Sequence, residues 1–86
     1  MNKEFIINCI DIIEQIKLNS IVAITVDNEE LKYQLKYDEE FNDFNLECLD
    51  KENELWDFSD TIENVKKWLV CDAVRGIYQK IRLVEE

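Results

Sequence analysis

Phe5, Cys9, Ile12, Ile13 and Ile16 recur at spacings of three and four, and Ile6 and Ile10 widen the same stripe. That period predicts an amphipathic helix over residues 2–18. Ile7 and Leu18 fall on its opposite, polar side, and Asn19-Ser20 closes it. The pattern then changes. Ile21 to Val26 is a β-branched run with both faces largely apolar, the mark of a strand covered on two sides. A turn over Asp27-Asn28-Glu29-Glu30 leads to a strand in which Leu31, Tyr33, Leu35 and Tyr37 alternate with Lys32, Gln34 and Lys36. One face of that strand is buried and the other wet. After a turn at 38–42, Phe44, Leu46 and Cys48 alternate with Asp43, Asn45 and Glu47. A further turn at 50–53 leads into a short strand, 54–58.

Ser59-Asp60-Thr61 opens the last periodic segment, and Asp60 stands three residues before Glu63, the spacing of a capping box. Ile62, Val65, Leu69 and Ala73 form one stripe with Trp68 beside it. From Val70 onward the stripe moves round to Val74, Ile77, Ile81 and Val84. A continuous helix buried on a wide arc is the favoured reading. The alternative is a break at Gly76, the chain's one glycine, with 77–84 as a fifth strand. Short connections favour an antiparallel meander of three to four strands between the two helices, with both helices on one face. The predicted fold is an α+β, two-layer, single compact domain spanning 1–86.

Composition narrows the setting. Hydrophobic residues make up 47% of the 86 residues, enough for a packed core. The longest nearly apolar run, Ile21–Val26, is far too short to span a bilayer. Asn8 and Asp11 interrupt the N-terminal apolar stretch, and no small-residue cleavage site follows, so a signal peptide is not expected. Cys9, Cys48 and Cys71 are odd in number and sit among apolar neighbours, as buried thiols do in a reducing compartment. The expected location is the cytosol. Ile, Asn, Lys, Glu and Asp dominate while proline is absent, a bias toward AT-rich codons that suits a low-GC bacterium or a phage or mobile element living in one.

The absence of histidine removes the commonest general base, the usual catalytic triads and the usual zinc ligands. Three scattered cysteines lack the close pairs of a zinc site, and one glycine cannot build a phosphate-cradling loop. The acidic spacing from Asp50 to Glu54 has Leu55 where a calcium loop needs glycine, so it reads as a hairpin turn. Neither catalysis nor a cofactor is expected.

Charge is the informative feature. Between Asp38 and Glu63 lie eleven acidic residues against Lys51 alone, which equals the whole net charge of −10. The acidic candidates for partner binding are Asp38, Glu39, Glu40, Asp43, Glu47, Asp50, Glu52, Glu54 and Asp57. The stretch from Asn64 to Val84 is instead basic, with Lys66, Lys67, Arg75, Lys80 and Arg82 against Asp72. Clustered carboxylates exclude nucleic acid and anionic membranes as direct partners. Three readings remain: a solvated face that keeps the domain soluble, a nucleic-acid mimic seated in a basic groove, and an immunity or antitoxin protein drawn to a basic toxin. In general character, small, acidic, α+β and AT-biased, the chain resembles phage-encoded anti-CRISPR proteins and other nucleic-acid mimics. That resemblance implies a CRISPR effector or another nuclease as the partner, in the host cytosol; it covers no motif and assigns no residue a role.

A different class of reading is an apolar interaction module or homodimer. Ile21, Ala23 and Thr25 would form an apolar outer face on an edge strand, and Ile7 and Leu18 lie on the wrong side of the first helix. The opposing reading is that this strand lies centrally or is covered by the C-terminal segment.

Overall fold

The computed structural model describes residues 2–84. Its elements in chain order are α1 (Lys3–Glu14), β1 (Ile21–Val26), β2 (Glu29–Asp38), β3 (Asp43–Cys48), β4 (Leu55–Ser59), α2 (Ile62–Val74) and β5 (Lys80–Val84). The strands form one antiparallel sheet in the order β4-β3-β2-β1-β5. Helix α2 carries the chain from one edge of the sheet to the other. Both helices pack on one face, where Cys9, Ile13, Val65, Leu69 and Ala73 close over Val22, Ile24, Tyr33, Leu35 and Leu46. This is the two-layer α+β fold that the hydrophobic pattern predicts.

Helix α1 starts where Asn2 accepts a hydrogen bond from the Phe5 amide. It ends at Glu14, four residues short of the expected stop. Ile16 still reaches the core, but its amide bonds Ile13 in a tightened last turn, and Asn19 (φ +73°) swings the chain onto β2 through its amide bond to Leu35. Asp27 and Asn28 both have positive φ, the signature of a two-residue I′ hairpin. Glu29 and Glu30, expected in the turn, therefore already pair with Val26 and Thr25.

Two expectations about the C-terminal half are corrected. Thr61, not Asp60, caps α2, its hydroxyl accepting from the Asn64 amide. More consequentially, α2 does not continue to Val84. Gly76 (φ +73°) ends it in a Schellman motif, with the Ile77 amide bonded to Asp72 and the Gly76 amide to Ala73. The shift of the apolar stripe after Val70 thus marks the end of one element and the start of another. Tyr78 drops into the core with its hydroxyl bonded to the Leu69 carbonyl, and β5 follows on the free side of β1.

That last strand decides the environment of β1. With β2 on one side and β5 on the other, β1 is interior, so the expected exposed edge does not exist. Val22 and Ile24 face the helices. Ala23 faces the other way, yet it is buried, because it stands between Lys32 and Arg82 in the paired strands. The apolar stems of such long side chains cover a small neighbour while their charged heads stay wet.

Candidate functional site

The face of the sheet opposite the helices is open. Strand register assembles it: Lys80, Arg82 and Val84 from β5, Ile21, Ala23 and Thr25 from β1, and Glu30, Lys32, Gln34, Lys36 and Asp38 from β2. Strand β3 adds Asp43, Asn45 and Glu47, and β4 adds Leu55 and Phe58. Charge is sorted across it. Basic side chains gather from β2 toward the β5 edge and acidic ones from β2 toward β3, while apolar side chains lie on both halves.

The predicted acidic patch is divided by the fold. Asp38, Glu39, Glu40 and Asp43 come together at the β2–β3 hairpin, where Asp38 faces Asp43 directly across the strands. Asp38 Oδ1 also accepts from the Glu40 and Phe41 amides, a local turn that holds the hairpin end in shape. Like charges directly opposite each other repel, and no cation pairs with these four residues among the described ones. Asp60 follows Ser59, the β4 partner of Phe44, and so adds to the same end. Glu47 lies exposed on the open face between the two hairpin ends.

Asp50, Glu52 and Glu54 lie at the opposite end, around the β3–β4 turn, roughly 20 Å from Asp43 by strand rise. Asp50 is structurally engaged, accepting from the Lys32 amide at 2.8 Å. Both ion pairs among the described residues lie toward this end. Lys51 meets Glu29 at 3.2 Å, and Arg82 meets Glu30 at 2.8 Å, which holds the Glu30 carboxyl below its ordinary range. The β2–β3 end is therefore the uncompensated one.

Asp57 does not belong to the solvent face where the alternation of β4 would put it. A bulge between Asn45 and Glu47 sets two β4 residues, Trp56 and Asp57, against Leu46. Trp56 packs edge-on against Tyr33 and Tyr78 and donates its indole N–H to Asp72 at 3.0 Å. The Asp57 carboxyl lies half-buried beside Asp72. Burial, then a hydrogen bond with Asp72 and its charge, push Asp57 up to about 7. Burial next to a second carboxyl group favours the neutral form of Asp57, whose buried Oδ2 has no hydrogen-bond partner among the described residues.

The apolar candidates do not form one surface. Ile7 and Leu18 are exposed on the helix side, whereas Ile21, Ala23 and Thr25 lie on the open face of an interior strand and are buried or half-buried. Other exposed apolar side chains lie elsewhere, among them Leu55 and Phe58 on the edge strand β4, Trp68 on α2 beside it, and Phe41 in the acidic hairpin. Sequence reasoning missed Phe58 because simple alternation puts it on the same face as Trp56. The bulge reverses it.

The cysteines also divide. Cys9 and Cys48 are buried and burial raises the Cys9 thiol, whereas Cys71, expected to be buried, is exposed on α2. Among the described residues no three His, Cys, Asp or Glu side chains converge as metal ligands do, and no helix is long and apolar enough to cross a membrane. Comparison of the chain with protein-family models, with curated proteins and with solved structures finds no match to any of them.

Proposed function

We propose that this chain is a non-catalytic, acidic protein-binding inhibitor, phage- or mobile-element-encoded and acting in the host cytosol. It docks its β2–β3–β4 side into the basic groove of a nucleic-acid-binding protein, a CRISPR effector or another nuclease, in place of nucleic acid. The observation that carries this reading is the uncompensated end of the β2–β3 hairpin. Asp38, Glu39, Glu40 and Asp43 stand together there without an ion pair among the described residues, while both ion pairs of those residues lie toward the other end. Repulsion of that kind costs stability, and a basic partner relieves it. The body is 38 Å long, about one turn of duplex DNA, so a groove built for a duplex is long enough to take it.

Charge reversal at Glu39, Glu40, Asp43 and Glu47 tests the reading. All four are in a turn or on the open face, so the fold should survive, as circular dichroism will show. Binding of the wild-type chain to its nuclease partner should be lost in the quadruple variant, and nucleic acid should compete with the wild type for the same groove. Retention of the partner by the charge-reversed chain at undiminished affinity would sink the proposal. Binding that nucleic acid does not compete would instead favour an immunity or antitoxin protein using the same surface. Replacing Ile7 and Ile21 with polar residues should leave capture intact; loss of the complex there would favour the apolar module or homodimer.

A further inference from the structure

Strand β4 closes one edge of the sheet and β5 the other, and the two edges differ in what they show to solvent. The β5 edge carries Lys80 and Arg82, the kind of charged side chain that discourages another strand from pairing. The β4 edge carries Leu55, 50% exposed, and Phe58, 65% exposed, with Trp68 of α2 beside them at 53%. These three side chains line one cleft of about 380 Å³ with Trp56 and Asp57. Beyond the ladder with β3, no hydrogen bond among the described residues reaches the main chain of Leu55–Ser59. The edge therefore presents unpaired N–H and C=O groups directly beside an apolar cleft.

We propose that the β4 edge takes up a short extended segment of another protein as a sixth strand, with an apolar side chain in the cleft and basic residues at its flanks. Main-chain hydrogen bonds to β4 hold such a segment, and the cleft selects its side chain. Two observations favour a foreign segment over a second copy. The bulge kinks β4 and limits regular pairing to a few residues, enough for a peptide but poor ground for joining two sheets. Charge points the same way. Glu54 and Asp60 are exposed at the two ends of β4, and neither has an ion pair among the described residues. Two β4 strands paired antiparallel about Asp57 would set Glu54 opposite Asp60 of the other copy at both ends, between bodies that each carry −10. A basic residue at each flank of a foreign segment instead meets one of these carboxylates, whichever way the segment runs. The inference goes beyond the nucleic-acid mimicry proposed above, since it uses main-chain pairing and an apolar cleft and not the carboxylates of the β2–β3 hairpin.

The probe is an end-capped peptide, Lys-Val-Thr-Phe-Thr-Val-Lys, titrated into isotope-labelled protein and followed by NMR at physiological ionic strength. The backbone amides of Leu55–Ser59 and the Trp68 indole should shift and saturate, while the β5 amides stay unmoved. The same peptide N-methylated at every internal residue keeps its side chains but loses its donors, and it should not bind. Equal binding of the two peptides would refute an added strand. Phe58→Ser, a change at an exposed site, should weaken the unmodified peptide on the order of tenfold, about one aromatic contact, without lowering the melting temperature. Exchanging both end lysines for glutamate should weaken it as well. Glu39→Lys combined with Glu40→Lys should leave the peptide bound while removing charge from the hairpin, so the edge and the mimicry are tested separately. Loss of the peptide in that double variant, shifts confined to β5 or to the hairpin, or no shift anywhere would overturn the proposal. A dimer in light scattering that Phe58→Ser breaks apart would assign the edge to a second copy and overturn it too.

Discussion

Asp57 shows how one extra residue changes a side chain's role. Without the bulge it would be another solvated carboxylate in the acidic run; with it, the carboxyl turns under α2 beside Asp72, where burial raises its pKa. The unfolded chain releases the carboxyl proton near the ordinary aspartate value of 3.8, whereas the folded protein holds it up to about 7. The folded state therefore binds more protons between those limits. This contribution to stability is complete below the lower limit, is lost as pH rises through the upper one, and is flat beyond it. Asp57→Asn removes the titration. Its melting temperature should exceed that of the wild type by a few degrees above pH 7, and the difference should shrink as pH falls and vanish only below the ordinary aspartate value of 3.8, with solvent screening of this half-buried group limiting the gain. Equal melting curves across that range would show that the carboxyl is ordinarily ionised. Asp43→Asn, on the wet face, is the control.

At the scale of elements, Gly76 decides whether the chain has four strands or five. No heavy atom lies within 4 Å of where a Cβ would stand, so a side chain there meets no clash, only the left-handed backbone conformation. Gly76→Ala should therefore cost about 1 kcal/mol in urea unfolding, with the slope of the transition unchanged. Gly76→Asn should cost less, since asparagine tolerates that conformation. Asn19, Asp27, Asn28, Asn42 and Asn53 already adopt positive φ in this protein. An unchanged midpoint for Gly76→Ala would mean that the Schellman cap contributes little. Four of these five residues are asparagine, which explains how a chain with a single glycine and no proline makes its turns.

For the whole molecule, repulsion outweighs attraction. Two exposed ion pairs among the described residues stand against a net charge of −10, and a group of carboxylates without ion pairs sits at one end of the body. Added salt screens both kinds of interaction, but the unpaired carboxylates are the majority. Melting temperature should rise between low and physiological ionic strength. A fall would show that pairs such as Arg82–Glu30 dominate the surface. Association with a basic partner should move the opposite way and weaken steeply with salt, since steering supplies much of the on-rate.

The amino-acid sequence by itself determined the elements from α1 to the start of α2, because each rests on a local period, but its favoured reading carried the helix on through the strand β5. Spacings of three and four wind α1 and α2, and strict alternation over 31–37 and 43–48 makes β2 and β3 one-faced. It also determined that charge would concentrate between Asp38 and Glu63. Only the tertiary structure decided what those features mean in space. The bare apolar faces of β1 become intelligible once β5 pairs beside it, a contact between residues some sixty positions apart that no local pattern encodes. The run of carboxylates is one block in sequence but two clusters in the fold, because a hairpin sends successive turns to opposite ends of the sheet. A bulge, set by pairing with β3 rather than by any residue of β4 alone, turned Asp57 inward and Phe58 outward. Asn45 reads as an ordinary polar position of an alternating strand. Its burial arises only where the neighbouring strands close around it, because burial is a property of the surroundings and not of the side chain.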